Sequence, residues 1–203
     1  MRIFVAGASG VIGVRLVPLL VTNGHVVAGM TRSPHKAGLL RELGAVPVVC
    51  DVFDADALAR ALAGFGPEVV FHQLTDLPDD AGDAARLSDR NDRMRSEGTR
   101  NLLAAAAAAE AQRVIAQSIS WELPSEHRRA VTAAHERAVL QAGGVVIRYG
   151  QLWGPDTYYQ AAPPDPPRIH VDDAARQTLP ALYVPRGLTI VADDRATHNH
   201  SPG

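Results

Sequence analysis

Lysine is nearly missing from this chain of 203 residues: Lys36 is the only one, although arginine is plentiful. Any chemistry that needs a lysine must therefore use Lys36. Cysteine is equally scarce. Cys50 stands alone, which excludes an intrachain disulfide and a thiolate metal cluster, and its setting, Val48-Val49-Cys50-Asp51, predicts a core residue at the end of a buried strand. A net charge of -2 leaves no basic field, so no nucleic-acid partner is expected. No apolar run approaches the roughly 18 residues that a membrane span requires, and the chain opens on a strand pattern without a charged-then-apolar leader. No membrane contact and a cytoplasmic location are the expectations. The two tail histidines, His198 and His200, do not fix a coordination geometry, and no metal is expected.

What is present is a hydrophobic content of 46%, enough for one well-cored domain. Short apolar runs rich in β-branched residues alternate with segments of helical period, the sign of βαβ units and a parallel sheet covered on both faces. The runs are Ile3 to Ala6, His25 to Met30, Val46 to Cys50, Glu68 to Leu74, Val114 to Ser118 and Val145 to Tyr149, with Leu188 to Val191 last. Asn23-Gly24 suits a left-handed helix end, and Pro18 should bend the helix that precedes it. Asp54 is a good N-cap for a helix ending at Gly64 or Gly66. The longest helix is expected from Arg90 to Ala111, with Met94, Gly98, Leu102 and Ala105 on one stripe, after a polar surface loop from Pro78 to Arg93. Further helices are expected from Ser125 to Gln141 and from Asp172 to Leu182, the last capped by Asp172 and Asp173. The proline-rich stretch from Ala162 to Pro167 reads as a stiff connection, and residues 195–203 as a disordered tail.

Chemistry enters at Gly7-Ala8-Ser9-Gly10-Val11-Ile12-Gly13, between the first apolar run and the first helix. There Gly7 allows a turn that a side chain would strain, Gly10 lets backbone approach phosphate, and Gly13 lets helix and strand pack closely. A helix start of this kind offers N–H groups and partial positive charge to a pyrophosphate. Ser9, Val11 and Ile12 complete the predicted cradle. The second run ends in Thr31-Arg32-Ser33 with no carboxylate for a ribose 2′-OH; Arg32 instead can meet a 2′-phosphate, so NADP(H) is preferred over NAD(H). Asp51-Val52 is placed to reach the adenine edge, and Gln73-Leu74 to border the adenine ribose and pyrophosphate. For His72 a core role and a site role stay open.

Together with Glu97-Gly98-Thr99-Arg100-Asn101-Leu102-Leu103, Arg148-Tyr149-Gly150-Gln151-Leu152-Trp153-Gly154-Pro155 and Ile169-His170-Val171-Asp172-Asp173-Ala174-Ala175, these motifs make the chain resemble the extended and atypical short-chain dehydrogenases/reductases, the NAD(P)-dependent epimerases and dehydratases. The resemblance covers residues 1–194 and implies an α/β, Rossmann-like doubly wound parallel sheet in a single domain. It also implies a serine after the fifth strand, here Ser118 or Ser120, and a Tyr-x-x-x-Lys on the next helix. That pair is missing: Arg128 falls at the tyrosine position and Thr132 at the lysine position. The C-terminal substrate region is truncated as well, with about thirty residues after Asp173. A homodimer through the two long helices is what the resemblance implies about association.

Two readings stay open. In one, the protein is an atypical NADP(H)-dependent oxidoreductase or epimerase-like enzyme on a small carbonyl or sugar-derived substrate. Ser118 would then orient the carbonyl, and Tyr159 or Tyr158, from the loop after the sixth strand, would supply the proton. His127 and Arg128 are further candidates, a cation there being able to stabilise an enolate. In the other reading it is a catalytically inactive redox sensor or partner-binding subunit.

Overall fold

Strand and helix alternate along the chain from its first residues. The structure, a computed structural model, describes residues 1–75 and 84–193. Its elements are β1 (Arg2–Ala6), α1 (Gly13–Thr22), β2 (Val26–Thr31), α2 (Ala37–Glu42), β3 (Val46–Val49), α3 (Ala55–Phe65), β4 (Val69–His72), α4 (Ala84–Arg93), a π-helical turn (Met94–Gly98), α5 (Thr99–Ala108) and β5 (Arg113–Ile119). After these come α6 (Glu126–Gln141), β6 (Val145–Tyr149), β7 (Gln151–Trp153), β8 (Arg168–His170), α7 (Val171–Thr178) and β9 (Gly187–Val191).

Seven strands pair in parallel in the order β3-β2-β1-β4-β5-β6-β9, while β7 and β8 form a separate parallel pair. Both faces of the large sheet are covered, which explains the uninterrupted apolar runs. On one face Ile3, Val5, Phe71, Ile115 and Ile147 pack with Leu16 and Leu20 of α1. On the other, Phe4, Val70 and Val114 pack with Leu58 and Leu62 of α3 and Leu102 of α5. Each large side chain so buried is worth about 1.5–3 kcal/mol. The chain order reverses between β1 and β4, and in such sheets ligands bind in the crevice at the carboxyl ends of the strands, at that switch point.

Local signals that need no distant partner read true. Asp54 caps α3, accepting from Ala57 N at 2.9 Å, and α3 stops at Gly66 with φ +63°. Gly24 takes the left-handed position after α1, and Pro18 lies inside that helix. Cys50 is buried, and burial raises its thiol pKa. Three expectations are corrected. Residues 84–93, read as part of a loop, form α4, a helix too polar to show an apolar stripe. The long helix starts earlier than expected and carries a π turn inside its continuous helical backbone, between α4 and α5. Finally, α7 begins at Val171 and is capped by His170, whose Nδ1 accepts from Asp172 N at 3.3 Å, so Asp172 and Asp173 lie within its first turn. The tail from 195 to 203, with His198 and His200, lies outside the described residues, as does the start of the expected loop, Pro78 to Asp83.

Candidate functional site

The glycine turn is tied down on three sides. Gly7 has φ +90°, and a Cβ there would lie 2.5 Å from the carbonyl oxygen of Gln73. A Cβ on Gly13 would run into the carbonyls of Gly7 and Ala8. Gly10 differs: among the described residues a Cβ there would have Gly7 O at 3.3 Å as its one neighbour, which leaves the far side of the turn open to them. Ser9 Oγ donates to Thr31 Oγ1 at 2.9 Å, and Ser33 N donates to the same oxygen at 3.2 Å, which fastens the turn to the end of β2. Among the described residues no side chain caps α1, and its first turn holds no acidic residue. An open cradle before an uncapped helix start fits the pyrophosphate of a dinucleotide.

The other predicted contacts distribute around the crevice. Arg32 is exposed just past β2. Asp51 is exposed past β3, its Oδ1 accepting from Phe53 N, while Val52 is buried and its carbonyl accepts from Asn101 Nδ2. Gln73 turns its side chain into the core, where Nε2 donates to the hydroxyl of Tyr149 at 3.3 Å, so only its backbone faces the turn. Leu74 O accepts from Gln117 Nε2 at 2.8 Å, joining the ends of β4 and β5.

A residue that sequence reasoning missed holds the site together. Arg15, the single charge on α1, donates from Nε to Asp172 at 2.7 Å, from Nη1 to Val11 O at 2.9 Å, and from Nη2 to Pro155 O and Asp156 at 3.0 Å each. It thereby braces the glycine turn against α7 and the loop that carries the two candidate tyrosines. Tyr158 there is 66% exposed, and Tyr159 donates to Gln151 Oε1 at 3.3 Å.

The candidate serine is occupied. Ser118 is 3% exposed and donates to Glu136 Oε1 at 2.5 Å; Arg148 grips the same carboxylate bidentately, at 2.8 and 2.6 Å. Burial pushes the Glu136 carboxyl up, and the hydrogen bonds from Arg148 and Ser118 more than reverse this, leaving it below its ordinary value. Two residues on, Ser120 has a buried Oγ with no partner among the described residues. It borders a pocket of about 300 Å³ between the end of β5 and the exposed turns of α6, with Trp121, Thr132 and Arg129 also in its wall.

His72 is explained without a ligand. His135 Nε2 must donate to Gln117 O at 2.9 Å, so its Nδ1 accepts from Thr99 Oγ1 at 2.8 Å, and Thr99 in turn accepts from His72 Nε2 at 3.0 Å. The chain of bonds is complete with both rings neutral. Burial drives the His72 pKa down to about 3, with His135 adding to it, and burial lowers that of His135 too.

The family model described as NAD(P)H-binding matches residues 7–142. The chain is 37% identical over 182 residues to a 3-diazoavenalumate denitrifying reductase from a Streptomyces species, covering 78% of this chain and 59% of that protein. It is 32% identical over 180 residues to a 4-hydroxy-2-methyl-3-oxo-4-farnesyl-3,4-dihydroquinoline-1-oxide ketoreductase from Stigmatella aurantiaca, covering 77% of this chain and 52% of that one. The chain thus spans little more than half the length of these relatives. Among solved structures, the Thermotoga maritima UDP-glucose 4-epimerase with UDP-glucose superposes with a TM-score of 0.78 at 19% identity, covering 97% of this chain and 78% of that one. The Thermus thermophilus enzyme with NAD gives 0.76 at 20%, covering 96% and 78%. At those identities the likeness is one of fold. Since the family match takes in the glycine turn, the helix after it and most of the strands that form the crevice, the chain belongs to the NAD(P)H-binding family, on a fold shared with UDP-glucose 4-epimerases.

Proposed function

We propose that the protein is an NADP(H)-dependent reductase of a small carbonyl substrate. The observation that carries this reading is the pocket at the carboxyl end of β5, in whose wall Ser120 stands, its buried Oγ having no partner among the described residues. A bound nicotinamide would supply a hydride to a carbonyl acceptor. The chain's own part is to hold the dinucleotide and to orient the acceptor. Gly7 and Gly13 let the turn close tightly on its own neighbours while Gly10 leaves its outer side open for a pyrophosphate, and the exposed Arg32 past β2 is the group that would meet a 2′-phosphate. Two relatives named as a reductase and a ketoreductase support the reaction type.

The second reading, a dinucleotide sensor without turnover, is favoured by one feature: Arg128 and Thr132 stand where the resemblance calls for tyrosine and lysine. Steady-state NADPH oxidation against a panel of small aromatic and aliphatic ketones and aldehydes separates the two. Substrate-dependent oxidation that is lost in Gly7→Ala supports the reductase. Tight NADPH binding with no turnover across the panel gives the sensor.

A further inference from the structure

Arg15 acts on the glycine turn through one peptide group. Its Nη1 donates to Val11 O at 2.9 Å, and because a trans peptide is planar, a carbonyl held on one side turns the next N–H to the other. That N–H belongs to Ile12, the N-cap residue of α1, and it has no acceptor among the described residues. A donor of this kind at a helix start is one that a pyrophosphate takes. An anion on it would polarise the peptide and make Val11 O a better acceptor for the guanidinium.

The same guanidinium, on a side chain 16% exposed, also reaches Asp172 at 2.7 Å and both Pro155 O and Asp156 at 3.0 Å. These partners belong to one packed body. Trp153 and His170 are register partners in the β7-β8 pair, their rings 4.7 Å apart and edge-on, and a Cβ on Gly154 would lie 2.5 Å from His170 Nε2. Gly154 N donates to Tyr159 O at 2.9 Å and Thr157 Oγ1 to Gly154 O at 2.7 Å, which joins Tyr158 and Tyr159 to that body. Charge adds to the link. Asp156 and Asp172 are two carboxylates one guanidinium away from an anion-binding turn, and Arg15, the single charge on α1, offsets them. The other partner of Asp172 is the His170 ring, 3.6 Å away. Asp156 also stands at φ +64°, a conformation that needs support from its surroundings.

We propose that Arg15 couples the dinucleotide site to the loop of Tyr158 and Tyr159: nucleotide on the turn fastens the loop, and the fastened loop tightens nucleotide binding, with Arg15 as the positioning residue between them. This rests on the dinucleotide site and not on turnover. The two effects are equal in size, as linkage requires.

Two measurements on the full chain test it: NADPH affinity by fluorescence titration, and chymotrypsin cleavage beside Tyr158 with and without saturating NADPH. In the wild type NADPH should slow that cleavage about fivefold or more. Cleavage beside Tyr183, 74% exposed and outside the body that Arg15 grips, should change little. Arg15→Met should lose the protection and bind NADPH at least about tenfold more weakly, from the broken link and the two unbalanced carboxylates together. Adding Asp156→Asn and Asp172→Asn removes the charge part alone, since Asn tolerates the left-handed conformation. That triple variant should regain about threefold in affinity and none of the protection, a split that a merely structural role for Arg15 would not give. Arg15→Lys keeps the charge but cannot meet all four acceptors; it should lose part of both effects, and it replaces Arg15→Met if that variant fails to fold. The coupling is overturned if NADPH leaves Tyr158 unprotected, if it protects Tyr183 as strongly, or if Arg15→Met or Arg15→Lys matches the wild type in both measurements. A wild-type chain that binds no NADPH overturns the dinucleotide site itself, which the titration shows before any digestion.

Discussion

The hydroxyl of Ser118 and the fork of Arg148 meet on one carboxylate, that of Glu136, so the serine that the family resemblance offers for catalysis is tied into a partly buried ion pair. Ser118→Ala is expected to lower stability by roughly 1.5–3 kcal/mol, the usual worth of a hydrogen bond to a charged group. NADPH affinity should stay unchanged. Denaturant melts and NADPH fluorescence titrations read the two effects, and a loss of turnover at full stability would return Ser118 to the reacting centre.

Gly7→Ala should weaken NADPH binding by more than about tenfold, since a Cβ at φ +90° is both strained and pressed on the Gln73 carbonyl. Gly24→Ala, at a similarly positive φ but with nothing within 4 Å of its Cβ, serves as the control. It should cost some stability without changing nucleotide affinity.

Arg32→Ala tests the choice of nucleotide. Removing a guanidinium that meets a phosphate lowers NADPH affinity about 10- to 100-fold, while NADH affinity holds. Equal losses for both nucleotides would remove the 2′-phosphate contact from the reading of this site.

Acid stability should be governed first by the neutral histidine chain. His72 has a folded pKa of about 3, below its ordinary 6.5, so the unfolded state takes up the proton that the folded state refuses. Its contribution is fully present above pH 6.5 and is lost as the pH falls toward 3, at up to about 1.4 kcal/mol per pH unit. Glu136 acts in the same direction, but only below its ordinary 4.5. Urea midpoints between pH 7 and 5 should therefore fall in the wild type and flatten in His72→Gln.

Arg15→Met should free the loop after β6 from the glycine turn. Limited chymotrypsin digestion reads this directly, because Tyr158 is already exposed. Cleavage beside Tyr158 is expected to accelerate severalfold. An unchanged rate would mean that the loop is held by its own contacts, such as that of Gly154 N with Tyr159 O.

The parts of this molecule that are legible in sequence are those whose physics is local or periodic. A sheet buried on both faces writes itself as β-branched runs such as Val145 to Ile147, and the Asp54 cap and the Gly66 stop each need only a neighbouring turn. The candidate site was less readable because its decisive bonds cross the chain. Asp172 looks like a helix cap, but it stands in the first turn of α7 and its carboxylate meets Arg15, 157 residues away. Ser118 looks like a catalytic hydroxyl until Glu136 folds over it. Nothing near Arg95 announces a π turn, and its partner Thr132 lies 37 residues on. The conformation of Gly7 and the close packing at Gly13 were readable, since their constraint is steric and lies within the motif and the strand beside it.

The Arg15 brace also sets an order on the life of the chain. Its carboxylate partners, Asp156 and Asp172, follow it by 141 and 157 residues. At the ~5–20 residues per second of protein synthesis, Asp172 is joined to the chain roughly 8–30 s after Arg15. For that interval a nascent chain can tie the glycine turn to Thr31 and Gln73 but not to α7 or the loop after β6. The cradle is therefore built in two stages, its steric frame early in translation and its outer brace near the end.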